Sequence, residues 1–166
     1  MEDFKMNQLK KMSLTALTTM SLMGATVAVL PQSASATTSG IDTTVVDEKW
    51  GKPTFIYGGG LSESQITETE ELLNIKNPEN VAVGSVTGQD LINYLGEGSG
   101  NTSSMISSVL VQKQETGEGV DVEIVTPENI SQITQDQYAN AAITAGVNDV
   151  KIEVASVSKV TGESAL

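Results

Sequence analysis

Cysteine and histidine are both missing from the 166 residues, and the chain has no arginine, so its nine basic side chains are all lysines. Without cysteine there is no disulfide, no thiolate nucleophile, no cysteine-bound zinc and no lipid-modified cysteine. Without histidine as well, the familiar serine and cysteine triads cannot be built, which leaves a Ser–Lys or a carboxylate pair for nucleophilic chemistry. Aromatics are scarce at 4%. Beyond residue 36 only Trp50, Phe55, Tyr57, Tyr94 and Tyr138 remain, few for a sugar site, which usually wants aromatic platforms. Positive charge is scarce too. Residues 37–166 carry six lysines against nineteen acids, 6 − 19 = −13. A chain so acidic, with no basic stripe, repels polyanions, so nucleic acid is excluded as a partner. The acids are scattered rather than blocked, which reads as a solubilising surface.

The only long apolar run lies at the start. Lys10 and Lys11 precede an apolar, Thr/Ser-diluted stretch from Met12 to Leu30; Pro31 and the small-x-small Ala34-Ser35-Ala36 follow. This is the form of an export signal cleaved after Ala36. Glu2 and Asp3 are unusual in such a leader, and Met6 makes a more ordinary initiator. The competing reading is an uncut membrane anchor, since the run approaches the roughly 20 residues a bilayer needs. The expected organisation is a signal peptide at 1–36, a flexible Ser/Thr-containing leader at 37–48 and a single domain at 49–166. After cleavage the chain is expected to be secreted or extracytoplasmic, with no membrane association.

Four places share one local design, an apolar residue followed by Ser or Thr, then a Gln, Asp or other polar residue three positions on. They begin at Leu61-Ser62, Val86-Thr87, Ile133-Thr134 and, less completely, Val160-Thr161. Each reads as a helix start, because the hydroxyl and the third residue can satisfy orphan N–H groups reciprocally. The third helix places Tyr138, Ala141, Ala142 and Ala145 on one face and ends at Gly146-Val147, a left-handed cap with its apolar contact. Between the helices lie β-like runs at 54–57, 81–86, 105–112, 120–125 and 150–157. In Val120–Ile124 and Val150–Val154 apolar and charged residues alternate, which predicts one buried and one wet face. Glu115–Gly119 reads as a hairpin loop. The order β-α-β-α-β-β-α-β predicts an α/β (α+β) domain, a mixed β-sheet with about three helices packed on it. Thr161–Leu166 looks like the first turn of a fourth helix, and one turn alone is unfavourable unless it docks tightly or continues, so the chain is expected to run on in a longer protein.

Several of these stretches carry a family resemblance: Gly60-Leu61-Ser62 to Leu73, Ser107-Ser108-Val109, Ile133-Thr134 to Ala141, Thr144–Val147 and Val160–Leu166. From about Thr44 onward the chain resembles secreted Gram-positive (Firmicute) proteins of the domain of unknown function 1002 family. The resemblance implies an exported protein with a more helical half after Leu166. It implies no activity, so no catalytic, cofactor-binding or metal-binding residue is carried over and no cofactor is expected. The triple glycine Gly58–Gly60 and the Gly/Ser-rich stretch 96–104 depart from the family pattern and suggest looser loops.

Candidate chemistry is correspondingly thin. Tyr57-Gly58-Gly59-Gly60-Leu61-Ser62 has the strand–glycine–helix order of a phosphate loop, yet it lacks the Gly-Lys-Ser/Thr of a P-loop, and Glu63 stands where a dinucleotide loop has glycine. Glu63 would also meet a phosphate with like charge at the helix start, so a strand-to-helix turn needing positive φ is preferred. Ser158-Lys159 are sequence neighbours, which on a strand would point apart. Glu115, Glu118 and Asp121 could gather a weak Ca²⁺, but no Asp-x-Asp-x-Asp-Gly loop exists. Trp50, beside Gly51-Lys52-Pro53, is the aromatic expected to be most exposed, anchoring a partner or covering a sheet edge. The function expected is a non-enzymatic binding or accessory domain at the bacterial cell envelope, with an envelope component as partner; the alternative is an extracytoplasmic hydrolase using Asp/Glu carboxylates.

Overall fold

Helix starts set the frame. Ser62, Thr87 and Thr134 each sit in extended backbone, accept from the N–H three residues on, and are answered by Gln65, Asp90 and Gln137 in complete capping boxes. Three of the four expected starts are therefore helix N-termini, of α1 (Glu63–Leu72), α2 (Gly88–Leu95) and α3 (Gln135–Thr144). The fourth becomes a short 3-10 turn at Glu163–Ala165, with Gly162 rather than Thr161 at its cap. The structure is a computed structural model that describes residues 40–166 except residue 97; the expected signal segment 1–36 and its cleavage site lie outside the described residues.

Five strands alternate with the helices: β1 (Thr54–Gly58), β2 (Ala82–Val86), β3 (Ser107–Lys113), β4 (Val120–Ile124) and β5 (Val150–Ser156). They form one mixed sheet in the order β2-β1-β3-β5-β4. The β1–β2 and β4–β5 pairs are parallel, and β1–β3 and β3–β5 are antiparallel. The α+β architecture and the element order thus match what the sequence predicts, but the expected hairpin does not exist. β5 lies between β3 and β4, so Glu115–Gly119 arches across its start instead of turning between neighbours. Asp149 anchors the arch. Its carboxylate accepts from the N–H of Gly117 at 2.8 Å and of Gly119 at 2.9 Å, and its own carbonyl accepts from the Gln114 N–H at 2.7 Å.

Each sheet face carries its own core. On one, Phe55, Leu110 and Ala155 pack with Leu73, Ile75 and Val81, and Ile66 and Leu72 of α1 lie against them. On the other, Val150, Ile152 and Val154 pack with Tyr138, Ile130 and Ala165, with Ala142 against them. The Tyr138 hydroxyl donates to the Gly162 carbonyl at 2.8 Å, which ties α3 to the C-terminal turn. After α3, Gly146 takes φ 78°, and the N–H groups of Gly146 and Val147 return to the carbonyls of Ile143 and Ala142, the paired bonds of a left-handed cap. Ala145, expected on the packed face of α3, is exposed.

Two expectations about burial need correcting. Part of the leader expected to be flexible is docked, because Ile41 and Thr43 are buried. Ile41 inserts into the first core, the Thr43 hydroxyl accepts from the Lys76 N–H, and Asn80 donates to the Thr43 and Thr44 carbonyls. A Ser/Thr-rich composition hides this strap because its anchors are one isoleucine and several backbone bonds. The strap also helps explain why β5 has no wet face: Lys151 and Glu153, the charged members of its alternation, are only 6% and 3% exposed.

Candidate functional site

The glycine loop comes first, since the sequence singled it out. Its backbone donors are all engaged: Gly58 N–H to Ser108 Oγ at 3.3 Å, Gly59 N–H to the Val86 carbonyl at 2.8 Å, Gly60 N–H to the Met105 carbonyl at 2.9 Å and Leu61 N–H to the Gly58 carbonyl at 3.0 Å. The Ser62 N–H goes to Gln65 Oε1 at 3.0 Å. An anion cradle works by aiming such donors at its ligand, and here none of these five is left to aim. The expected positive φ is also absent from Gly58, Gly59 and Gly60. What demands glycine is close approach. A Cβ on Gly60 would lie 2.5 Å from the Thr102 carbonyl oxygen, one on Gly58 would strike the Met105 carbonyl, and one on Gly88 would strike the backbone of Gly100. The triple glycine is thus packed against Thr102, Ser103 and Met105.

The other sequence candidates scatter. Ser158 and Lys159 lie beyond β5 and are exposed. Glu115 pairs with Lys49 at 2.6 Å, whereas Asp121 faces Lys151 at 3.7 Å. No group of three or more acidic side chains that could hold a metal ion occurs among the described residues. Trp50 is only partly exposed and lies under the Lys49 ammonium, 4.3 Å from the ring centroid. Asp47 holds it in a tight turn by accepting from the N–H groups of Lys49 and Trp50. The most exposed large hydrophobic side chain among the described residues is instead Tyr94, at 85%.

Buried charge collects on the strap side of β5. Glu153 Oε1 accepts from the Ile41 N–H at 2.7 Å, and Glu123 stands beside Glu153 in the parallel register while Asp121 stands beside Lys151. Burial pushes the Glu153 carboxyl above the usual carboxylate range; the Ile41 N–H and Lys151 pull it back, and Glu123 and Asp121 push it up again. A carboxyl raised on folding makes the native state bind its proton more tightly than the unfolded chain does. Its contribution is therefore full below the unfolded value and is lost as pH rises through the folded one. Replacing Glu153 with Gln keeps an acceptor for Ile41 and removes the desolvated charge. E153Q is expected to raise the urea midpoint near pH 7 and to leave it close to wild type near pH 4, as parallel urea titrations at the two pH values would show. Sealed under the strap, Glu153 is a structural group and not an accessible acid or base.

The feature with the shape of a site is an apolar groove of about 540 Å³ between α2 and α3. Tyr94 and Leu95 of α2 form one wall, Ala141 of α3 and its C-cap Ala145 the other, and Ser164 and Leu166 line it from the C-terminal turn. That turn is fixed from below. Ser107 N–H donates to Ser164 Oγ at 3.0 Å, the two hydroxyls lie 2.6 Å apart, and both serines are buried. The Glu163–Ala165 turn packs on β1, β3 and α2, and the channel lies against it. The sequence signal for the α2 wall was Leu91, Tyr94 and Leu95 at i, i+3 and i+4, a helix stripe, but such spacing reads as core and does not say which members stay uncovered.

Comparison with known proteins adds the family but no chemistry. A family model described as Protein of unknown function (DUF1002) matches residues 57–166. An "Uncharacterized protein YpuA" of Bacillus subtilis (strain 168) is 34% identical over 125 residues, which cover 74% of this chain and 41% of that protein. The chain thus spans less than half the length of that relative. No solved structure matches the chain. With the match beginning at Tyr57 and covering both helix walls of the groove, the chain belongs to the DUF1002 family.

Proposed function

We propose that this chain is an exported, non-enzymatic binding or accessory domain of the bacterial cell envelope, and that the α2–α3 groove is where it binds. The observation that carries the reading is the uncovered apolar channel with Tyr94 at 85% exposure beside it, since soluble chains rarely leave such surface open without a use. Export rests on the Lys10–Ala36 pattern, with cleavage after Ala36, and no described helix is long and apolar enough to cross a membrane. In this reading 49–166 is one domain.

The test is fractionation of the producing cells with intact-mass measurement, followed by incubation of the purified protein with envelopes and wall polymers. Retention on envelopes without release of fragments is the expected result. Recovery from the medium alone, with no affinity for envelopes, would overturn it. Release of fragments that stops when one Asp or Glu is replaced would favour the hydrolase instead.

A further inference from the structure

The groove's own chemistry narrows its occupant. Its walls differ: α3 and its C-cap offer small side chains one turn apart, Ala141 and Ala145, opposite the large Leu91 and Tyr94 of α2. A ridge of small residues lets the backbone of another helix come close, and the large residues opposite supply contact area. The charged side chains lining the channel are Asp90 and Glu163, with no lysine among them. Asp90 keeps its charge readily, because the Thr87 hydroxyl and N–H hold its carboxyl below the usual carboxylate range. A second copy of this chain, with its net charge of −12, would bring acid against acid, and an anionic lipid surface would meet the same repulsion.

Resting on the binding role proposed above, we infer that the α2–α3 groove is a docking site for an amphipathic helix of a separate protein, apolar on the buried face and bearing lysine or arginine along its edges. The apolar face replaces water over Tyr94, Leu95 and Leu166, and the basic edges meet Asp90 and Glu163. This is helix-in-groove recognition, with Tyr94 as the aromatic anchor.

The probe is a fluorescent helical peptide of about 18 residues, five turns, built from leucine and alanine on one face and lysine on the other. A counterpart carries glutamate in place of lysine. Binding to the whole chain is followed by anisotropy. The lysine peptide is expected to bind and the glutamate peptide not to bind. Ala145→Trp, which fills the channel from an exposed position, and Tyr94→Ala are each expected to weaken binding at least about tenfold without moving the urea midpoint. Equal affinity in both variants would place the peptide elsewhere on the acidic surface and overturn the inference, as would equal binding of the two peptides. Self-association in sedimentation, or binding to phosphatidylglycerol vesicles, that is lost in Ala145→Trp would overturn it in favour of a second copy or a membrane. Envelope retention that survives Ala145→Trp would keep the envelope role and sink the groove as its seat, so the two readings fail separately.

Discussion

Gly58→Ala is expected to destabilise the fold by about 3 kcal/mol or more, the upper end for overpacking, and so to remove a large share of the 5–15 kcal/mol that holds a domain of this kind together. The added methyl would be driven into the carbonyl of Met105, which is backbone and not a flexible side-chain end. Neither side can retreat alone. Shifting β1 disturbs its parallel register with β2, where Gly58 stands opposite Val86. Shifting Met105 breaks its bond from the Gly60 N–H. A comparison alanine at Gly117 isolates conformation from contact, since that glycine has φ 98° and nothing within 4 Å of its virtual Cβ, so its cost is the left-handed penalty alone, about 1 kcal/mol. Urea titration of both variants is the measurement. Equal losses would mean that the triplet is kept for backbone freedom and not for close approach.

Phe55→Ala should cost about 3–5 kcal/mol. Phe55 is fully buried, on a strand bonded on both sides, by β2 in parallel and β3 in antiparallel. Its ring joins Ile41 of the strap, Leu73 and Ile75 after α1, and Leu110 of β3, and lies 5.9 Å from the ring of Tyr57. Truncation therefore empties one core and leaves the Tyr138 core on the other face untouched. Beyond a lower urea midpoint, amide exchange should speed up at Ile41, whose N–H is held by Glu153, while the Val150–Val154 amides keep their relative protection. Unchanged exchange at Ile41 would show that the strap is held by its hydrogen bonds without help from the core.

What could be read in the sequence was what is decided locally. Ser62-x-x-Gln65, Thr87-x-x-Asp90 and Thr134-x-x-Gln137 form their boxes within four residues, so no knowledge of the rest of the chain was needed. Strand existence was legible for the same reason. Strand pairing was not: Glu115–Gly119 has the glycines of a hairpin, and only β5, thirty residues on, decides that β3 and β4 never meet. The alternation in β5 misled because Glu153 is sealed by Ile41, more than a hundred residues earlier. Gly58–Gly60 could be seen as a special place but not as a close approach, since Met105 and Thr102 come from another loop. The groove was hidden for a related reason, because Leu91, Tyr94 and Leu95 announce an apolar face without saying whether anything lies over it.

The placement of β5 also governs when the fold can form. It is the last strand of the described chain, yet it sits inside the sheet, bonded to β3 on one side and β4 on the other. Until it arrives, β4 has no partner strand, and the three strands β2-β1-β3 expose one edge of β3. Pairings this distant along the chain form late and slowly. A ribosome delivering the chain from its N-terminus therefore cannot see this sheet completed until Ser156 has emerged, and the sheet closes in one late step.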